Sequence, residues 1–274
     1  MNILNTIILG LIQGITEFLP VSSSGHLAIF ENILNYKISL PEELILDIGT
    51  LIALLFFTRF EIVQIIKEVL NPKILTSENS FTFGKFQFSK KATLVILGSI
   101  PVILAGVILK PILETKTQSL ALVAIMMIIV GIYMIVAEKI GSKSKVDKNL
   151  SIKNILVIGI SQIFALIRGT SRSGVTISTG IFLGFKREEA VKMSFLIGIP
   201  ALLGSSLLGV FDIAKSGIDG TLVIPLLAGF LASLISGVIS IKILMNFVKN
   251  HSLTVFSIYR IIAGVILLIF SITR

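Results

Sequence analysis

The sequence predicts an all-α integral membrane protein arranged as an inverted structural repeat, with six transmembrane helices plus two re-entrant helical hairpins. Three observations carry that prediction. The 274 residues are 54% hydrophobic and only 14% charged, with mean hydropathy +0.99, so there is too little polar surface to cover a water-soluble globule of this size. Apolar runs near the ~20 residues that cross hydrocarbon recur at 44–58, 93–109, 118–137, 193–211, 221–241 and 253–273. Two further segments, 3–36 and 152–185, are each long enough for two short helices and are interrupted by PVSSSG (20–25) and RGTSRSG (168–174).

The interruptions define the hairpins. Irregular backbone at membrane depth is tolerated only where it is buried in protein or lines a cavity, so each broken segment reads as a helix, a polar tip and a returning helix. A single kinked helix in each place is the alternative. The N-terminal stretch MNILNTIILGLIQG has neither a basic region nor a small-residue cleavage site and reads as retained structure. With no cysteine, a disulfide framework, a thiolate nucleophile and a cysteine metal site are all excluded.

The two broken segments repeat one another. Placing GLIQGITEFLPVSSSG over GISQIFALIRGTSRSG sets Gly10 on Gly159, Gln13 on Gln162, Ser22 on Ser171, Ser24 on Ser173 and Gly25 on Gly174. The next span continues in register, with Gly49 on Gly198 and Ala53 on Leu202. Beyond a longer first-half loop, 71–92, Gly98 falls on Gly229, Gly106 on Gly237 and Gly131 on Gly264. The chain is therefore expected to be one membrane domain of two repeats, 1–140 and 151–274, joined by a basic loop, 138–153.

One hairpin and three spans per half make the second half inverted. The basic residues fix the orientation. Arg59, Lys67, Lys73, Lys85, Lys90, Lys91, Lys139, Lys143, Lys145, Lys148, Lys153, Lys186, Arg187, Lys192, Lys242 and Lys249 fall on one side; only Lys37, Lys110, Lys116, Lys215 and Arg274 fall on the other. By the positive-inside rule the first side is cytoplasmic and both termini face out. The net charge of +9 is then topology, and no nucleic-acid partner is expected.

Inverted hairpins dip in from opposite faces, so their tips meet near the midplane. The helices after the tips, expected to begin near His26 and Val175, aim two positive N-termini at one buried spot, an anion site. Ser22, Ser23, Ser24, Ser171, Ser173 and Thr176 add hydroxyls, and Arg172 adds a permanent charge suited to bidentate phosphate recognition. Ser22 and Ser24 serve equally well as N-caps. Glu17 follows Gln13 by one helical turn, so the two share a face and are candidates to hold jointly a metal ion or a water. His26 and Ser23 compete as nucleophile, with His26 also able to activate a water. An ion pair of Arg172 with Glu17 is the structural alternative. Asp47 reads as interfacial, Arg168 as snorkelling, Arg260 as a pairing residue for substrate or structure, and His251 as a loop residue without chemistry.

Together, QGITEFLPVSSSGH and RGTSRSGVT resemble the two signature regions of the bacterial undecaprenyl-diphosphate phosphatase family, also known for bacitracin resistance. The resemblance runs over essentially the whole chain. It implies conversion of the C55 polyprenyl diphosphate to the monophosphate carrier of cell-wall (peptidoglycan) synthesis, in the cytoplasmic (inner) membrane, with a divalent cation, Mg2+ or Ca2+. By motif position it also implies an acidic-pair site at Gln13 and Glu17, a serine and histidine at Ser23 and His26, and a phosphate-binding arginine at Arg172, flanked by Ser171, Ser173 and Thr176; Gly25, Gly169 and Gly174 of the two tips are further candidates for binding substrate. Gln13 stands where the family admits either acid or amide, and Ile167 and Arg168 stand before Gly169 where it has proline. Membrane lipids and the lipid substrate are the expected partners, and a homodimer is compatible with the sequence. Broken helices in inverted repeats are also the architecture of transporters, so a carrier or flippase of an anion or phosphate-bearing lipid is the competing reading.

Overall fold

The computed structural model describes residues 3–33, 35–76, 78–83, 86–116, 119–141, 150–216 and 222–273. Lys85, Lys143, Lys145, Lys148 and Arg274, together with most of the joining loop 138–153, lie outside the described residues.

Within them the chain forms eleven α-helices. The first broken segment becomes α1 (Ile3–Phe18) and α2 (Ser23–Ile33). The second becomes α7 (Ile152–Ser161), a 3-10 turn (Gln162–Leu166) and α8 (Arg172–Phe182). In each case the two pieces pack on one another. Five helices are long and apolar enough to cross a membrane: α5 (Lys90–Lys116), α6 (Leu120–Gly141), α9 (Arg187–Ser216), α10 (Val223–Asn250) and α11 (Thr254–Thr273). The protein is a multi-pass membrane protein. The remaining expected span is α3 (Leu40–Phe57), 18 residues long, whose first half carries Glu42, Glu43 and Asp47.

Loop 71–92 holds more structure than its sequence led us to expect. After α4 (Arg59–Leu70), β1 (Ser80–Phe83) and β2 (Phe86–Ser89) pair antiparallel, with Phe81 opposite Phe88 and Phe83 opposite Phe86. The alternating aromatics of FTF and FQF are a period-2 signal, short enough to be overlooked between long helices.

Side-chain size decides how the helices pack. On α10, Leu227, Leu231, Ile235, Ile239 and Ile243 recur every fourth residue and are exposed, as a lipid-facing ridge requires. The other face presents Gly229, Ser233, Ser236, Gly237 and Ser240, all buried, and against it lie α1 and α3. Small residues bring the backbones together: Ser240 Oγ donates to Ile15 O at 2.8 Å and Ser233 Oγ to Leu46 O at 3.0 Å.

The helix pairings recur in the other half. Helix α1 packs on α10 as α7 packs on α5, and α3 packs on α10 as α9 packs on α5, while α6 and α11 pack together. A Cβ at Gly10 would lie 2.5 Å from Gly229 O, and one at Gly159 would lie 2.7 Å from Gly98 O, a matching pair of backbone crossings. The core between the halves is made by Phe18, Leu54, Ile177, Phe195, Ile197 and Leu244.

Since these crossings leave no room for a side chain, Gly159→Val is expected to destabilise the fold by ~1–3 kcal/mol. Gly204→Ala, which meets nothing within 4 Å, should leave the thermal midpoint in detergent unchanged. Equal midpoints for the two variants would contradict the packing described.

Candidate active site

The two tips are built alike. Ser22 and Ser171 precede α2 and α8 in the left-handed region, at φ 78° and 70°, a strained backbone for a residue with a Cβ. Each hydroxyl accepts from the N–H three residues on, Gly25 N to Ser22 Oγ at 3.2 Å and Gly174 N to Ser171 Oγ at 3.1 Å. These are N-caps, and they start the helices at Ser23 and Arg172, three residues earlier than expected. The tips also bind one another: Gly169 N donates to Ser24 Oγ at 3.1 Å, and Ser173 Oγ contacts Glu17 O and Leu19 O, both at 3.2 Å.

Between the tips lies a cavity of about 240 Å³, reached by Gln13, Glu17, Ser23, Ser24, Ser171 and Arg172, with Glu43, Asp47 and Ser205 joining them and Val102, Leu166 and Leu202 forming apolar wall. That is below the ~300–1,000 Å³ of typical small-molecule pockets, a volume suited to a head group without its tail. Ser23 Oγ donates to Glu17 Oε2 at 2.7 Å, and Arg172 Nη2 bonds Glu17 Oε1 at 3.0 Å. Arg172 Nε and Nη1 are buried without a partner. A Cβ at Gly198 would overlap this guanidinium, so glycine there makes its space.

Gln13 Nε2 donates to Asp47 Oδ1 at 2.8 Å and lies 3.4 Å from Glu17 Oε2, while its buried Oε1 has no partner. Asp47 is therefore a site residue and not an interfacial one. The signal was available, since an ionisable residue within an apolar run marks function by default. An amide oxygen beside two carboxylates is a donor set that fits a hard divalent cation, although no group of three or more histidine, cysteine or acidic side chains among the described residues has metal-binding geometry.

Other sequence candidates stand outside the cavity. His26 faces away from it: its Nδ1 lies 2.8 Å from Ser22 O, which requires the proton on Nδ1, and Nε2 then accepts from the Tyr259 hydroxyl at 2.7 Å. Thr176 Oγ1 is occupied by Arg172 O at 2.8 Å and Ser194 Oγ at 2.6 Å. Ser22, Gly25, Gly169, Ser173 and Gly174 act through caps, turns and tip-to-tip bonds. Arg168 lines a separate polar cavity with Glu31, Tyr36, Lys37 and Glu43, and Glu43 belongs to both cavities. His251 is exposed and stacks on Phe247.

Ser171→Ala keeps the strained φ and loses the cap, so a loss of ~1 kcal/mol is expected. Ser171→Gly relieves the strain and should lose less. Chemical or thermal unfolding of the two variants checks the order, and an alanine variant as stable as the parent would contradict it.

The model of the family described as bacitracin resistance protein BacA matches residues 6–266. The undecaprenyl-diphosphatase of Methanosphaera stadtmanae is 38% identical over 276 residues, 99% of each chain. That of Elusimicrobium minutum is 37% identical over 270 residues, 98% of each. That of Corynebacterium glutamicum is 38% identical over 266 residues, 96% of this chain and 89% of its own. With matches running from end to end and both motif tips inside them, the chain belongs to the bacitracin resistance protein BacA family.

Proposed function

We propose that the chain hydrolyses undecaprenyl (polyprenyl) diphosphate to the monophosphate and inorganic phosphate, returning the lipid carrier to peptidoglycan synthesis and so giving bacitracin resistance. One observation carries the reading: an arginine, 12% exposed, with two buried and unpartnered donors beside a Ser23–Glu17 hydrogen bond, where two helix N-termini converge. That is a phosphate site with a nucleophile in it. Relatives named as undecaprenyl-diphosphatases over their whole length support the same chemistry. A carrier or flippase has no use for a serine hydroxyl held on a carboxylate, and this alternative is not favoured.

The geometry supports a two-step chemistry. Arg172 and the N–H groups opening α2 and α8 hold the diphosphate and stabilise the charge that develops in flight. Ser23 Oγ attacks the terminal phosphorus as its proton passes to Glu17, the bridging P–O bond breaks and the lipid monophosphate leaves. Water then attacks the phosphoserine, the P–Oγ bond breaks with return of the proton to Ser23, and phosphate departs. A divalent cation bound by Glu17, Gln13 and Asp47 would neutralise diphosphate oxygens. His26, bonded to Tyr259, orients the start of α2.

The same reading extends to topology: one membrane domain of two inverted repeats, six spans and two re-entrant hairpins, in the cytoplasmic membrane with both termini outside. The paired helix crossings and the distribution of lysine and arginine support it. Glu43 links the site to the polar cavity at Lys37 and Arg168, on the side of the N-terminus, so phosphate leaves outward.

Purified protein should release phosphate from a polyprenyl diphosphate in detergent, without a gradient. Arg172→Ala and Ser23→Ala are expected to lose at least ~10²-fold in kcat, and Asp47→Ala and His26→Ala roughly 10-fold, in keeping with a lost hydrogen bond of ~1–3 kcal/mol. Near-normal turnover in Arg172→Ala contradicts the assignment. Because the chain has no cysteine, single cysteines report topology cleanly: an impermeant maleimide should label Lys37→Cys from outside and Lys249→Cys only from the cytoplasm, and the reverse pattern overturns the orientation.

A further inference from the structure

A second arginine lies behind the site, out of reach of its cavity. Arg260, on α11, is fully buried at 0% exposure, and the acceptors of its N–H donors include four backbone carbonyls and no carboxylate. Nη1 reaches Pro20 O at 3.3 Å, Nη2 reaches Gly169 O and Thr170 O at 2.9 Å each, and Nε reaches Met127 O at 3.0 Å. Pro20 and Gly169 are equivalent positions of the two repeats. One side chain thus grips the same carbonyl of both tips at once.

Packing does not demand an arginine there. Under the repeat that sets Gly131 on Gly264, the counterpart of Arg260 is Met127. The Met127 sulfur lies 2.8 Å from where a Cβ of Gly25 would be, as Arg260 Nη1 lies 2.8 Å from where a Cβ of Gly174 would be. The two sockets are alike, and a thioether fills the first. What the guanidinium adds is a planar fork of donors for turn carbonyls that the broken helices leave unpaired.

We infer that Arg260 is a positioning residue of the hydrolytic site: it locks the two hairpin tips in one register, so that Ser23, three residues after Pro20, and Arg172, two after Thr170, meet the same phosphate. This rests on the phosphatase reading of that site. A misplacement of about 1 Å between reacting groups can cost ~10²-fold in rate, whereas the anion ligands themselves are untouched, so the effect falls on kcat more than on KM.

The test uses full-length Arg260→Met, which copies the first socket, and Arg260→Lys, which keeps the charge with one nitrogen in place of three, alongside Arg172→Ala. Phosphate release is measured against polyprenyl diphosphate concentration, and thermal unfolding is followed in the same detergent. Arg260→Met is expected to fold with kcat down ~10²-fold and Arg260→Lys with kcat down ~10-fold, KM staying within about threefold. Folded variants with the parent kcat overturn the inference while an inactive Arg172→Ala leaves the site reading standing. Should Arg260→Met not fold, Arg260→Lys alone decides, and full kcat in that variant overturns the inference. An active Arg172→Ala brings down the site reading and this inference with it.

Discussion

A helix that starts inside an apolar bundle leaves its first N–H groups, and the carbonyls of the turn before it, without water to satisfy them. This chain does so twice, at Ser23 and Arg172, and much of the surrounding structure answers that constraint. Ser22 and Ser171 cap the new helices from a strained backbone. Ser24 and Ser173 each bond to the opposite tip. Arg260 collects the turn carbonyls of both. What remains without a partner at these helix starts, two buried donors of Arg172, is what we propose an anion satisfies.

The two inverted repeats we propose would let one scaffold yield unlike parts. Ser23 and Arg172 occupy the same place in their halves, the first residue of the helix after the tip, yet one carries a hydroxyl to a carboxylate and the other a guanidinium to the same carboxylate. Gln13 and Gln162 are likewise equivalent. The first faces the cavity and Asp47, while the second, fully buried, donates to Gly98 O at 2.8 Å and braces α7 on α5. Met127 and Arg260 diverge in the same manner. The architecture is kept by glycines at the helix crossings, and the chemistry is set by replacing single side chains in matched sockets.

Much of this is legible in the sequence, because the tips are local: a run of serines and glycine inside an apolar segment, written twice, marks the breaks and brings the expected helix starts within three residues of those found. Arg172 and Glu17 are legible for the same reason, since charge in hydrocarbon has to be used. What escapes the sequence depends on direction or on distant elements. At about 100° per residue, His26 points roughly 100° away from the Ser23, Ser24 and Leu27 face, so closeness in sequence did not bring it to the cavity. Asp47 bears the mark of charge in an apolar run, but its place in the site depends on α3 lying beside α1, and Arg260 reaches the tips from the last helix. The paired strands Ser80–Phe83 and Phe86–Ser89 were hidden by their brevity.

The central claim is that one phosphate sits between two helix starts from opposite halves. A structure of the protein bound to a non-hydrolysable methylene-diphosphonate analogue of a short prenyl diphosphate tests it most directly. The account predicts the terminal phosphonate between the N-termini of α2 and α8, hydrogen-bonded to Arg172 and in contact with Ser23 Oγ. A head group found instead in the groove beside Tyr259 and Ile262, or in the cavity at Lys73 and Phe88, would contradict it.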